Sequence, residues 1–174
     1  MRKFAIGVLT VAAMVWCFAV SAVGADRGTS SISIKGKTVS VEYGRPALNG
    51  RTTEDLLGKL PAGALWRMGS NQSTTFKSDL NLDLGGVAVP AGEYSIWMQR
   101  QDDNSWKLLF DKKHGQWGSP SPPASEAFAS VPMMSEKAAA PVETLTITLR
   151  KAGGGGELVV EWGTLKTAAK FAAK

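Results

Sequence analysis

The stretch Leu80-Asn81-Leu82-Asp83-Leu84-Gly85-Gly86-Val87-Ala88-Val89-Pro90-Ala91-Gly92-Glu93-Tyr94-Ser95-Ile96-Trp97-Met98-Gln99-Arg100 decides the fold. Its leucines alternate with Asn81 and Asp83, the period of two expected of a half-buried strand. Gly85-Gly86 reads as a tight hairpin turn, where positive φ is needed and glycine adopts it without steric cost. Val87 and Val89 return, and Pro90-Ala91-Gly92 makes a second turn. Beyond it Tyr94, Ile96 and Met98 share one face, with Ser95, Trp97 and Gln99 on the other. Short alternating strands punctuated in this way belong to an antiparallel all-β chain.

The same pattern extends in both directions. Upstream, Val39, Val41 and Tyr43 share a face, and residues 73–77 are threonine-rich around Phe76. Downstream, Asp102-Asp103-Asn104 is a polar turn from which Trp106, Leu108 and Phe110 pair back. Leu145, Ile147 and Leu149 alternate with threonines, Gly153 to Gly156 read as a flexible turn, and Leu158, Val160 and Trp162 complete a hairpin. Residues 53–60 are the one short helix, with Glu54 and Asp55 after a threonine cap and then Leu56 and Leu57. Ser-Pro-Ser-Pro-Pro at 119–123 cannot sit inside a sheet. The Ala-, Ser- and Pro-rich residues 124–141 read as a long surface connection. The expected fold is therefore a two-layer antiparallel β-sandwich, with a jelly-roll-like arrangement or a closed barrel as the alternative.

The chain begins Met1-Arg2-Lys3, runs uncharged through residues 4–20, and reaches Ser21-Ala22-Val23-Gly24-Ala25 before Asp26. A positive start, an apolar middle and small residues at the boundary make an export signal over residues 1–25. A membrane anchor of that length is the rival reading, and the small-residue ending favours cleavage. A lipid anchor at Cys17 is excluded because Trp16 precedes it. The exported part, periplasmic or extracellular, then comprises a domain at residues 26–165 and a flexible tail at 166–174, with no membrane span once the signal is removed.

Composition narrows the chemistry. The 174 residues carry 20 Lys and Arg against 15 Asp and Glu, one Cys and one His. Loss of Arg2, Lys3 and Cys17 with the signal leaves a nearly balanced, thiol-free chain, suited to an oxidising compartment. No basic cluster suggests nucleic acid. One Cys and one His exclude thiol-based and multi-histidine metal centres, and no metal or cofactor is expected. His114 lies in a charged loop without a motif around it. Asp102 and Asp103 are adjacent and diverge, and no Gly-x-Ser-x-Gly elbow occurs.

The concentrated patch lies between Tyr43 and Thr75. Arg45, Arg51 and Arg67 fall among loops and strand ends, where a guanidinium fork matches a carboxylate or phosphate. Trp66 offers a flat face, and Asn71 a directional amide. Arg45, Arg51, Trp66, Arg67 and Asn71 are thus the candidate ligand-binding set. The competing reading has the arginines pinning loops through backbone carbonyls and Trp66 in the core. Trp97, opposite the apolar face of its strand, is a candidate exposed sugar platform.

These residues also carry a resemblance. Val41-Glu42-Tyr43-Gly44-Arg45-Pro46, Gly50-Arg51, Trp66-Arg67-Met68-Gly69-Ser70-Asn71, Thr74-Thr75, Val89-Pro90-Ala91-Gly92-Glu93-Tyr94-Ser95-Ile96, Trp106 and Gln116-Trp117-Gly118 resemble the DUF2911 family of secreted bacterial proteins of unknown function. The likeness is clear over Ser31 to Gly118 and looser over Thr144 to Trp162. Gly44, Asn49, Met68 and Ser70 stand where the family pattern has Ser, Lys, Thr and Ala. The resemblance implies an exported β domain and brings no activity or cofactor. The function expected is a non-catalytic exported module binding a small polar or anionic ligand or a glycan. The alternatives are an envelope hydrolase using carboxylates such as Glu42, Glu93 or Asp111, and a structural or partner-binding envelope protein.

Overall fold

A computed structural model describes residues 26–174, so the export signal read at residues 1–25 lies outside the described residues. Two antiparallel sheets pack face to face, and they do not close into a barrel. The larger has the order β1 (Arg27–Ile34), β2 (Lys37–Gly44), β4 (Thr74–Ser78), β7 (Gly92–Arg100), β8 (Trp106–Asp111) and β9 (Ala129–Pro132), with the two-residue β3 (Leu65–Trp66) also on β7. The smaller runs β10 (Met134–Ala152), β11 (Gly155–Ala173), β5 (Leu82–Leu84) and β6 (Val87–Val89).

The alternation read from the sequence maps onto this sandwich. Val39, Val41 and Tyr43, Tyr94, Ile96 and Met98, and Trp106, Leu108 and Phe110 are buried from the large sheet. Leu82, Leu84, Leu145, Ile147, Leu149, Leu158, Val160 and Trp162 meet them from the small one. Between β5 and β6, Gly85 and Gly86 have φ of +64° and +95°, the values a two-residue hairpin turn of this hand needs.

Four local expectations are corrected. Trp97 is on the face opposite the core strand neighbours, yet it is only 1% exposed. The chain leaving β8 is tied down beside it: Ser95 N donates to Lys113 O at 3.2 Å, Ser73 N to Gln116 O at 2.9 Å and Gly118 N to Asn71 O at 2.8 Å. Period-two alternation assumes an open outer face, and here a loop covers part of it. Residues 124–141 are not a mere connection, since they supply β9 and the start of β10 and bury Val131 and Met133. Residues 166–173 are not a tail but the end of β11, with Ala168, Ala169 and Phe171 buried and Thr167 Oγ1 donating to Met134 O at 3.1 Å. Alanine carries little strand propensity of its own, and cross-strand pairing with β10 and β5 overrides it.

The fourth correction concerns the glycine tract. Only Gly153 and Gly154 form the exposed turn, whereas Gly155 and Gly156 are buried strand residues. A Cβ on Gly155 would overlap the Phe171 carbonyl oxygen, and one on Gly156 would lie 2.6 Å from both the Phe171 ring and Ile32. The two ends of β11 therefore lie against each other. The strand folds back on itself, with Gly163 at φ +56° and Glu161 reaching Lys166 at 3.9 Å. Gly155→Ala is expected to lower unfolding free energy by about 2–3 kcal/mol, the range for forced overpacking. Gly154→Ala, which meets nothing within 4 Å, should leave it within about 0.5 kcal/mol. Denaturant titration of the two variants checks this.

Candidate functional site

The chain between β2 and β3 leaves the large sheet and builds one end of the sandwich. Leu48 N donates to Glu143 O and Leu145 N to Pro46 O, both at 3.0 Å, which fastens the departing chain to β10. Asn49 and Gly50, at φ +51° and +78°, turn it, a conformation that asparagine and glycine tolerate best. The short helix α1 (Thr53–Leu57) follows, with Thr52 as its cap. Asp55 N donates to Thr52 Oγ1 at 3.1 Å while Thr52 N donates to Asp55 Oδ2 at 2.8 Å, so two amides without helical partners are satisfied reciprocally. The hydroxyl of Thr52, then its amide, hold the exposed Asp55 carboxyl below the usual range. Stability from this contact is fully present above the ordinary carboxylate pKa and is lost as pH falls through the depressed value.

The other end of α1 is held by an arginine that sequence reading did not single out. Arg100 Nη1 donates to the carbonyls of Gly58 at 2.5 Å and Leu60 at 2.7 Å, and Nη2 to Asn104 Oδ1 at 2.5 Å. Carbonyls at a helix C-terminus lack intrahelical donors, and one cation serves several here. Gln99 and Arg100 end β7 just before the polar turn at Asp102-Asp103-Asn104, and nothing in that stretch marks this role.

A cleft of about 420 Å³ opens between α1, β3 and the loop after β8. Arg51, Trp66 and Arg67 of the expected set line it together. Arg51 Nε donates to Leu48 O at 2.9 Å and Arg67 Nε to Gly69 O at 3.1 Å. Each guanidinium is thus anchored by one nitrogen, and among the described residues neither has a carboxylate partner. Gly118 packs on Arg67, because a Cβ there would overlap the Arg67 Cδ. The backbone-pinning reading therefore accounts for Nε of each arginine, and no carboxylate among the described residues engages the other guanidinium nitrogens.

The other two candidates lie elsewhere. Arg45 Nη1 sits 3.1 Å from Asp26 Oδ2 at the start of β1, and its side chain is not on the cleft wall. Asn71, at φ +64°, contributes its backbone carbonyl to Gly118 N rather than an amide to the cleft. Trp66 is 8% exposed and stacks on Trp162 at 5.7 Å between ring centroids and 10° between planes, so it meets the cleft by an edge rather than as an open platform.

The remaining lining was not legible as a site. Trp162 reads from sequence as core, which it is, yet it also reaches the cleft, and its buried Nε1 has no acceptor among the described residues. Ser119 and Ser121 join from the proline-rich loop and Ser70 from beyond β3. Of the carboxylates named for hydrolysis, Glu42 pairs with Arg27 and Glu93 Oε1 lies 3.2 Å from His114 Nδ1. Asp111 is buried, with Oδ1 accepting from Lys113 N at 2.9 Å. None of the three lines this cleft. A second cleft, about 390 Å³, holds Arg100, Glu54, Glu136 and Lys166. Its cations are already engaged, Arg100 as above and Lys166 by Glu136 at 3.2 Å. Among the described residues no three His, Cys, Asp or Glu side chains gather to hold a metal ion, and no helix is long and apolar enough to cross a membrane.

Residues 26–171 match the family described as "Protein of unknown function (DUF2911)". No curated protein and no solved structure matches the chain.

Replacing Arg100 leaves the carbonyls of Gly58 and Leu60 without that donor. Arg100→Ala should cost about 2–3 kcal/mol, the scale for charge-assisted hydrogen bonds. Amide exchange would check the cause, speeding up in residues 53–60 ahead of the strands.

Proposed function

We propose, for this chain, which belongs to the DUF2911 family, an exported and non-catalytic role: the cleft walled by α1, β3 and residues 118–121 takes a small anionic ligand. One observation carries the reading. Arg51 and Arg67 converge on one cleft, each anchored through Nε, with their terminal nitrogens unclaimed by any carboxylate among the described residues. A guanidinium held by one nitrogen is already oriented, so less rotamer freedom is lost when the others bind a carboxylate or phosphate. Export rests on the pattern at residues 1–25. The binding role rather than hydrolysis rests on the make-up of the cleft, whose lining among the described residues contains no carboxylate and no histidine that would serve as acid or base.

Calorimetric titration with inorganic phosphate and with acetate tests the proposal. Arg67→Ala should weaken binding about tenfold or more, the scale of one lost charge-assisted contact. Its stability should fall by less than about 1 kcal/mol. Arg45→Ala, which removes a cation away from the cleft, should leave affinity unchanged. If Arg67→Ala unfolds the domain, or if both variants bind like the parent, the guanidinium is only a loop pin and the proposal fails.

A further inference from the structure

We infer that the ligand of this cleft is an amphipathic anion, a carboxylate or phosphate head on an apolar body, rather than a free sugar or an inorganic ion. The inference rests on the binding role proposed above and specifies the class of molecule. The side chains lining the cleft fall into three chemical groups: the guanidiniums of Arg51 and Arg67 with the indoles of Trp66 and Trp162, the hydroxyls of three serines, and an apolar wall of leucines and Pro46. Arginine and tryptophan only donate hydrogen bonds. Among the described residues no Asp, Glu, Asn, Gln or His is on the lining.

That inventory discriminates between ligands. Every hydroxyl of a sugar donates as well as accepts, so a buried sugar is best met by acceptors that bridge neighbouring hydroxyls, as carboxylates and amides do, and a donor left unpaired costs about 1–3 kcal/mol. Here only serine hydroxyls accept among the side chains, and no carboxylate or amide can bridge neighbouring hydroxyls. An anionic head has the opposite requirement, since it only accepts, and the cleft meets it with two cations. The apolar part of the wall completes the argument. Leu56, Leu60 and Leu65 are only half-buried although they face this cleft, so an apolar body seated there would remove their surface from water. An inorganic ion would use the arginines and leave that wall uncovered.

A chain-length series provides the test: acetate, butyrate, hexanoate and octanoate, with octyl phosphate, 1-octanol and glucuronate beside them. Affinity is read by calorimetry, and position by chemical-shift changes at the indole N–H of Trp66 and Trp162. Affinity should climb along the series, by up to about fourfold per buried methylene. Octanoate should bind at least tenfold tighter than 1-octanol, and glucuronate no tighter than acetate. Comparison of octanoate with octyl phosphate identifies the head group. Arg51→Ala/Arg67→Ala should erase the preference for octanoate over octanol, while Leu60→Ser should flatten the chain-length dependence. A flat series with acetate or phosphate still bound, or glucuronate binding tighter than octanoate, overturns this inference and leaves the anion-binding role standing. Absence of binding by every anion overturns both.

Discussion

The stack of Trp66 on Trp162 joins the two layers of the sandwich at the end where the cleft lies. Trp66 belongs to the two-residue β3, attached to β7 through Trp66 opposite Met98, and Trp162 belongs to β11 in the other sheet. Their rings lie 10° from parallel, and Trp106 closes on Trp66 at 6.1 Å and 56°. Offset aromatic pairs contribute about 0.5–1.5 kcal/mol beyond the area they bury. The larger effect here is geometric. A strand of two residues has few ladder bonds, so the indole contacts add to the backbone bonds of Gly63 and Ala64 with Arg100 in fixing β3 and Arg67, the next residue. The excursion from Pro46 to Ala64 then closes over the same aromatics, burying Leu48 and Leu57, and the cleft is the gap left beside them.

Close backbone approach is the second constraint on that end. Gly44 packs so tightly on Ser70 that a Cβ would overlap its main chain, and Gly69 approaches Gly44 in return, with a Cβ there 3.0 Å from Gly44 O. The end of β2 thereby meets the segment carrying Arg67 without side chains between them. Thr74 Oγ1 donates to Met68 O at 2.8 Å and holds the same segment from β4. Arg67 is thus supported by strands and glycine contacts rather than by a loose loop.

Four arginines, three of them singled out by the sequence, separate by their neighbours. Arg45 leaves β2 beside the start of β1 and finds Asp26. Arg51 and Arg67, farther apart along the chain, share one wall because α1 and β3 bring Leu48 and Gly69 to the same end. Arg100 sits in a strand and serves the carbonyls of another element. Residue type offers the capacity to bind an anion. Whether that capacity is left available depends on which partner folding brings within reach: a nearby carbonyl for Arg51 and Arg67, and a distant carboxylate or set of carbonyls for Arg45 and Arg100.

Period-two alternation alone determined which side chains face inward: Val39, Val41 and Tyr43, Tyr94, Ile96 and Met98, Leu158, Val160 and Trp162 are all buried as read. Turn and capping signals likewise placed the hairpin at Gly85-Gly86 and a threonine cap at the start of the short helix. These are local properties, encoded within a few residues by pleat geometry, turn sterics and capping. Tertiary structure alone decided that Trp97 would be covered, that the Ala- and Lys-rich end would pair as strand, that Arg45 and Asn71 would turn away, and that Trp162 and the serines of the proline-rich loop would complete the cleft. Each of those outcomes depends on a contact between segments distant in the chain, and alternation reports a side chain's direction but not which segment will arrive to meet it.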